Sequence, residues 1–432
     1  MPLTLDGWLA HLEALHPHGS AGIELGLERV AGIKARLNQR ETCPLILVGG
    51  TNGKGSTCAM LERILLVAGY RVGLYTSPHL LHYNERVRIN GVAVADAALC
   101  AAFARVEQAR GDVALTYFEF GTLAAWEVFA TARLDGIILE VGLGGRLDAT
   151  NVYLPDCAIV ASVDLDHMEF LGADREAIGR EKAGIFRGGV PAICGDPQPP
   201  LSLIDHAKAV GARLQVLGVD FGYLRQEQQW LYWGRPADDS GEAVTIRRGG
   251  LALPALRGDQ QLANAACALA ALDALHSDLP VAMKDIRQGL MAVELAGRFQ
   301  VLPGRPAVVL DVAHNPQAAR ALAANLADMG FHRNTWAVVG MLADKDIDGV
   351  IDALRERVSH WLPCTLQGRR AASAELLAGR LRASGMRVVG EFASPAAALV
   401  YAQENAGEDD RILAFGSFLT VAAALQELGR TR

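Results

Sequence analysis

The stretch Gly49-Gly-Thr-Asn-Gly-Lys-Gly-Ser-Thr57 concentrates more potential chemistry than any other part of the sequence. A short apolar run, Leu45–Val48, precedes it, and an apolar-periodic segment, Cys58–Ala68, follows it. Strand, glycine-rich loop and helix in that order turn backbone N–H groups and a helix N-terminus onto a polyphosphate. Lys54 is spaced to reach the β- and γ-phosphates, and Ser56 or Thr57 to set a hydroxyl near Mg²⁺. The strict pattern G-x-x-x-x-G-K-[ST] is not met: Val48 holds the first glycine position and Gly55 separates Lys54 from Ser56. The competing reading is a chance glycine-rich turn, and the flanking strand and helix argue against it. The stretch is expected to be a variant P-loop in which Thr51, Asn52, Gly53, Lys54, Gly55 and Ser56 bind nucleotide.

A second concentration is Gly136-Ile-Ile-Leu-Glu-Val-Gly-Leu-Gly-Gly-Arg-Leu-Asp-Ala-Thr-Asn151. Glu140 closes an apolar strand and a glycine-rich loop follows at once. Ligands of parallel α/β sheets bind at the carboxyl ends of the strands, and a Glu there suits Mg²⁺, which takes oxygen ligands. A structural carboxylate capping loop amides is the alternative. Asp148 and Arg146 in the same loop either orient a substrate or are solvated charges. His167 ends the next strand; it is a structural histidine or, since imidazole is a less usual partner for Mg²⁺, one of several other roles including metal binding. Lys182, in Glu181-Lys-Ala-Gly184, has an ordinary ion pair as its bland reading. Ser77, in Ser77-Pro-His79, offers an oxygen at another strand end. Thr116-Tyr-Phe-Glu-Phe-Gly121 lies ahead of a helix expected over Gly121–Leu134, and its aromatics either stack on a flat heteroaromatic ligand or pack in the core. Further on, Asp311-Val-Ala-His-Asn-Pro316 puts Asp311 where a ribose hydroxyl can donate to it and His314 where it can touch phosphate. A helix cap, to which Asn315 is also suited, is the alternative. Arg298, at a break in the chain, is suited to neutralise a phosphate.

These residues need a scaffold that brings strand ends together. Apolar runs at Leu45–Val48, Arg71–Tyr75, Gly136–Val141, Cys157–Val163 and Val190–Cys194 alternate with helical patterns, which predicts a parallel sheet with helices on both faces. Asp196-Pro-Gln-Pro-Pro200 interrupts that rhythm, and residues 215–256 read as short antiparallel strands. Helices are expected over Gln260–Ala274 and Val281–Met291. Two prolines and two glycines between Gly297 and Pro306 mark a boundary, after which the βα rhythm restarts. The expected architecture is α/β: a P-loop NTPase-like domain over 1–297 and a smaller Rossmann-like domain over 298–432. A length of 432 residues suits two cores. With 51% hydrophobic and 21% charged residues the chain is globular. A net charge of −7 without a basic stripe excludes a nucleic-acid partner as the expected role, and no apolar run is long enough to cross a bilayer. The N-terminal segment lacks the form of a signal peptide. Seven scattered cysteines without a C-x-x-C pair suggest reduced thiols, hence a cytoplasmic location.

Taken in order, the motifs resemble the folylpolyglutamate synthase/dihydrofolate synthase family of the ATP-dependent Mur ligase superfamily. The stretches that carry the resemblance are Ile23-Glu-Leu-Gly-Leu-Glu-Arg-Val30, Gly50–Ser56, Ser77-Pro-His79, Tyr117-Phe-Glu119, Glu140–Asn151, Asp166-His167, Glu181-Lys-Ala-Gly184, Gly297-Arg-Phe299 and Asp311–Pro316. It weakens over about 200–256 and at the C-terminal helix. The resemblance implies that Ser77, Glu140 and His167 ligate magnesium and that Lys182 is carbamylated and helps hold a second ion. It implies that Asn264, Arg298 and Asp311 contact ATP. It further implies that Thr116, Tyr117, Phe118 and Glu119, with Leu147, Asp148 and Ala149 and the loop Ser20, Ala21, Gly22 and Ile23, contact the pterin substrate.

The implied chemistry is activation of a carboxylate by ATP as an acyl phosphate, which the amine of L-glutamate attacks to leave an amide. Dihydropteroate as acceptor yields dihydrofolate; the γ-carboxylate of reduced folates yields a polyglutamate tail. Lys54, Lys182 and His314 are the expected catalytic residues. One activity without the other is an alternative. A peptidoglycan Mur ligase is disfavoured by the 48 residues ahead of Gly49, too few for a UDP-sugar domain. A P-loop switch without ligase activity has no need of the second domain. A monomer is expected, since no dimerisation stripe stands out.

Overall fold

The computed structural model describes residues 2–15, 24–235, 245–368 and 370–429. The chain forms two compact units: residues 1–255 with 262–293, and residues 256–261 with 294–432.

The first unit is built on eight strands: β1 (Leu45–Gly49), β2 (Val72–Tyr75), β3 (Val87–Ile89), β4 (Val92–Ala93), β5 (Gly136–Glu140), β6 (Cys157–Val160), β7 (Pro191–Cys194) and β8 (Arg213–Val216). Their order is β4-β3-β2-β5-β1-β6-β7-β8. From β2 to β8 all pairs are parallel, and β3 and β4 add an antiparallel edge. Each of β1, β2, β5, β6 and β7 is buried along its whole length, as a sheet covered on both faces requires. Leu45 and Leu47 of β1 point into a core shared with the helix Tyr117–Thr131. Ile46 and Val48, pointing the other way, are equally buried. The helix Lys54–Val67 packs on β1, β2 and β5 and against the helix Met283–Ala292.

The βα rhythm does not stop at Asp196-Pro-Gln-Pro-Pro200. Pro200 stands at the N-cap of a helix, Leu201–Val210, which returns the chain to β8. Proline is acceptable ahead of a first turn, where no intrahelical N–H is needed; the prolines there start an element rather than ending the domain. Beyond β8, residues read as antiparallel form β9 (Phe221–Gln226), β10 (Gln229–Gly234) and β11 (Ile246–Ala252), in the order β11-β10-β9. Trp230 and Tyr232 point to the buried side, where the Tyr232 hydroxyl donates to Asp273, 2.8 Å away.

The second unit contains β12 (Gln300–Leu302), β13 (Ala307–Asp311), β14 (Thr335–Val339), β15 (His360–Pro363) and β16 (Arg411–Phe415), ordered β12-β13-β16-β14-β15. β12 is the antiparallel edge and the other four are parallel. An unpredicted helix, Pro395–Asn405, precedes β16; Ser394 caps it and Pro395 opens it. Among the described residues, no helix is long and apolar enough to cross a membrane.

Candidate active site

Parallel strands place their carboxyl ends along one edge, and the chemistry-bearing loops of the first unit leave from there. β1 lies between β5 and β6, and Val48 pairs with Glu140 across the ladder. The strand order reverses around β1, and such a switch point opens a crevice at the sheet's edge.

The loop after β1 is tighter than its sequence suggests. The helix begins at Lys54, four residues before its apolar pattern, with Gly53 at the N-cap in a left-handed conformation. Gly50, at φ 138°, passes so close to β6 that a Cβ would lie 3.0 Å from the Ala161 amide nitrogen. At Gly53 a Cβ would run into the Asn264 carboxamide, so Asn264 abuts the loop at its turn into the helix. The Thr51 amide donates to Ser162 O at 2.8 Å, its hydroxyl donates to Asp164 O at 3.0 Å, and the Asn52 amide donates to Ser162 Oγ at 3.0 Å. These bonds clasp the loop to the segment after β6. The amides of Thr51 and Asn52 are therefore committed to the scaffold, and the helix's first turn follows them from Lys54. Lys54 Nζ donates to Gly50 O at 2.8 Å and Thr51 O at 3.2 Å, which holds the ammonium over the loop. Ser162 is the residue that sequence reasoning missed; it lies five residues ahead of His167.

Glu140 ends β5 and is only 4% exposed; its Oε2 accepts the Ser77 amide at 3.3 Å. Ser77 and Glu140 are thus brought together. Beside Ser77, Arg86 Nε donates to His79 Nδ1 at 2.9 Å. Burial and then the Arg86 charge lower the His79 pKa to about 4, so this imidazole stays neutral at physiological pH. His167 caps the short helix Met168–Leu171 in a left-handed conformation, with Nε2 4.0 Å from Asp166 Oδ1. Among the described residues, no three His, Cys, Asp or Glu side chains gather as a ready metal cluster. Lys182 lies near the end of the helix Arg175–Ala183 and is 3% exposed. Burial first and the Lys54 charge second lower its pKa to about 7, against the opposing charges of Asp166 and Asp148. A buried lysine with a depressed pKa has the reactivity of a free amine.

Asp148 turns inward. Its Oδ2 accepts the Leu143 amide at 2.8 Å, and Oδ1 accepts the Thr150 amide at 3.0 Å and hydroxyl at 2.6 Å. Burial raises its pKa against those bonds. It braces the glycine-rich loop; Ala149 is buried beside it and Leu147 is partly exposed. The segment Thr116–Glu119 is not a loop ahead of a helix but the cap and first turn of the helix Tyr117–Thr131. The Glu119 amide donates to Thr116 Oγ1 at 3.3 Å, and the Thr116 amide to Glu119 Oε2 at 2.8 Å, a capping box. Arg29 completes the arrangement, donating from Nε to Glu119 Oε2 at 2.9 Å. Phe118 packs over Gly142, where a Cβ would lie 2.6 Å from its ring, so the aromatic residue covers the glycine-rich loop. Tyr117 meets Tyr83 edge-on with ring centroids 5.9 Å apart. Thr116→Val is expected to cost about 1–2 kcal/mol by loss of the cap, read as a lower urea midpoint; an unchanged midpoint removes the cap as a stabilising element. The expected substrate residues Ser20, Ala21, Gly22 and Ile23 lie outside the described residues.

In the second unit, Asp311 ends β13, and its two oxygens accept the Phe299 amide at 2.8 Å and the Ala313 amide at 2.7 Å. These bonds fix Gly297-Arg-Phe299, in which Gly297 has φ 70° and Arg298 stacks 5.2 Å over the Phe418 ring. Burial raises the Asp311 pKa while the amide bond and the Arg298 charge hold it down. His314 Nδ1 lies 2.9 Å from Val312 O. Asn315, not Asp311, caps the helix Pro316–Asp328.

Comparison with known proteins accords with this geometry. The Mur ligase middle domain model matches residues 48–272, and the Mur ligase, glutamate ligase domain model matches residues 297–418. The chain is 46% identical to the dihydrofolate synthase/folylpolyglutamate synthase of Escherichia coli (strain K12) over 429 residues, 99% of this chain and 96% of that protein. Its fold matches E. coli FolC in complex with DHPP and ADP at a TM-score of 0.91 and 45% identity, covering 99% of this chain and 98% of that one. It matches a bifunctional folylpolyglutamate synthase/dihydrofolate synthase with Mn, AMPPNP and L-glutamate bound at 0.88 and 46%, covering 99% and 98%. With its loop at the carboxyl end of β1, the buried Glu140 and Lys182 and a likeness that runs through both units, the chain belongs to the dihydrofolate synthase/folylpolyglutamate synthase family of the Mur ligases.

Proposed function

We propose that the chain is an ATP-dependent carbon–nitrogen ligase that joins L-glutamate to dihydropteroate, forming dihydrofolate, and to the γ-carboxylate of reduced folates, extending a polyglutamate tail. The observation that carries this reading is the cationic loop at the end of β1 facing a buried carboxylate, Glu140, in register with it. The amides from Gly53 to Ser56 and the Lys54 ammonium bind the β- and γ-phosphates of ATP. Thr51 and Asn52 hold that loop in shape, and Asn264 lies against it. Arg298 and Asp311 are suited to bind nucleotide and His314 to touch phosphate. The domains are taken as 1–297 and 298–432. A cytoplasmic monomer acting on small molecules completes the reading.

A divalent cation fits the donor set on chemical grounds: Glu140 and Ser77 carry hard oxygens and meet through the Ser77 amide, whereas His167 stands not at the end of β6, which stops at Val160, but seven residues further on, at the N-cap of Met168–Leu171. Bound there, Mg²⁺ supplies charge neutralisation at the transferred phosphoryl group. The amine of Lys182 is suited to carbamylation, since a buried amine with a pKa near 7 is substantially neutral; the resulting carboxylate is then available to a second ion. The residues of this chain do the rest. Lys54 stabilises charge on the phosphoryl group as it moves to the acceptor carboxylate. The amine of glutamate attacks the acyl phosphate carbon, the C–O bond to phosphate breaks, and the ammonium proton leaves to solvent or base. Tyr117 and Phe118, with the loop that Phe118 covers, bind the pterin and keep water from the anhydride.

Incorporation of labelled glutamate, dependent on ATP and Mg²⁺, is expected with both dihydropteroate and a reduced folate monoglutamate. Incorporation with one acceptor only reduces the function to a single activity; none with either, ATP still being bound, overturns the reading. Glu140→Gln is expected to raise the Mg²⁺ concentration for half-maximal rate at least about tenfold, because a neutral amide is a weak partner for a hard cation. An unchanged Mg²⁺ dependence removes Glu140 from the ligands.

A further inference from the structure

Asn151 closes the motif that begins at Glu140. It is buried, and its carboxamide ties together two segments that carry the site. Nδ2 donates to Arg146 O at 2.9 Å, in the glycine-rich loop, and to Gly184 O at 3.1 Å, just past the helix that bears Lys182. Its Oδ1 accepts Arg187 Nη2 at 2.7 Å. The two segments approach as closely as backbone allows. A Cβ on Gly145 would lie 2.9 Å from Glu181 O and 3.0 Å from Lys182 O, and one on Gly184 would lie 2.6 Å from Arg146 Cα. The Arg146 amide donates to Glu181 O at 2.8 Å, and its side chain pairs with Glu181, also at 2.8 Å. The loop leaves directly from Glu140, so this clasp fixes where Lys182 stands relative to the end of β5.

We propose that Asn151 is a positioning residue: by bridging Arg146 O and Gly184 O it holds the Lys182 amine at the depth and direction in which it is carbamylated. The proposal rests on the reading of Lys182 given above. The amine nitrogen attacks carbon dioxide, a C–N bond forms, one nitrogen proton leaves to water, and the product is a carbamate anion. No oxidant or further reagent is required. A purely structural Asn151 would affect stability alone; a positioning one also governs the state of Lys182.

The test uses the full chain with Asn151→Asp, which keeps size and the bond from Arg187 but removes both donated bonds, and Asn151→Ser as a second variant. Carbamate is read by ¹³C NMR after equilibration with labelled bicarbonate. The Lys182 amine is read separately, in carbon dioxide-free buffer, by its rate of acylation with acetic anhydride, followed by peptide mass spectrometry. The expected result is folded variants with a carbamate signal at least about tenfold weaker, kcat reduced in step, KM for the folate unchanged, and Lys182 acylated about tenfold faster. A full carbamate signal and unchanged kcat in both variants overturn the proposal. Should the wild-type chain give no carbamate signal, the reading of Lys182 fails and the clasp is decided by acylation: equal rates in all three proteins overturn it, and a tenfold increase in the variants sustains it.

Discussion

Lys54→Ala is expected to lower kcat/KM for ATP by about 10³-fold or more while leaving the fold intact. The ammonium sits over the loop on two carbonyl oxygens, Gly50 O and Thr51 O, and in the proposed reading it meets the γ-phosphate there. Cationic groups that meet charge developing on a transferred phosphoryl group supply several kcal/mol of transition-state stabilisation. The fold tolerates the loss because the loop is held by Thr51 and Asn52 bonding to Ser162 and Asp164, not by the lysine. Melting temperature within a few degrees of wild type, with turnover near background, is the expected pair of results. Activity retained within tenfold would reject the loop as the phosphate site. The same variant has a second readout: with the Lys54 charge gone, one of the two influences that depress the Lys182 pKa disappears, and that pKa rises.

Lys182→Met is expected to abolish turnover and, in carbon dioxide-free protein, to raise stability. The folded pKa of Lys182 is lowered from 10.5 to about 7, with burial as the main cause and Lys54 second. Below pH 7 the amine is protonated in both folded and unfolded chains, and burial of its charge costs the fold its full penalty, roughly 3–5 kcal/mol. Between pH 7 and 10.5 only the unfolded chain holds the proton, so the fold gains stability as pH rises and the penalty vanishes above that window. The methionine, similar in volume and never charged, removes the penalty. Its stabilising effect is therefore largest at pH 6 and shrinks by pH 9, as read by urea midpoints at both. An effect independent of pH would place Lys182 in solvent. Partial recovery of Lys182→Ala activity by added short carboxylates is the expected counterpart if a carbamate is the working form; a fully active Lys182→Ala would return the residue to an ordinary ion pair.

The residues at the strand ends were legible because their signals are local. A glycine-rich loop between an apolar run and a helical pattern, and a lone Glu at the end of Gly136-Ile-Ile-Leu139, state their positions in a few consecutive residues. Even the capping box is written plainly, as Thr116-x-x-Glu119, although aromatic residues beside an acid also suggest a ligand contact. Local chemistry also misleads at Asp196-Pro-Gln-Pro-Pro200, where prolines just ahead of a helix read as an interruption of the βα rhythm. Sequence separation hid the rest. Ser162 lies 110 residues from Asn52, whose backbone it binds, and Arg29 lies 90 from Glu119; no period or spacing connects such partners.

By itself, then, the sequence determined that β1, β5 and β6 are buried strands and that the glycine-rich loop and Glu140 stand at the ends of β1 and β5, since apolar periodicity and turn chemistry are properties of neighbouring residues. Tertiary structure alone decided what those side chains do. Parallel pairing set Glu140 beside the phosphate loop, because register is fixed only when two distant strands meet. Folding made Asp148 a brace of the glycine-rich loop, and burial depressed the Lys182 pKa, because desolvation depends on everything packed around a group and not on the residues next to it in the chain.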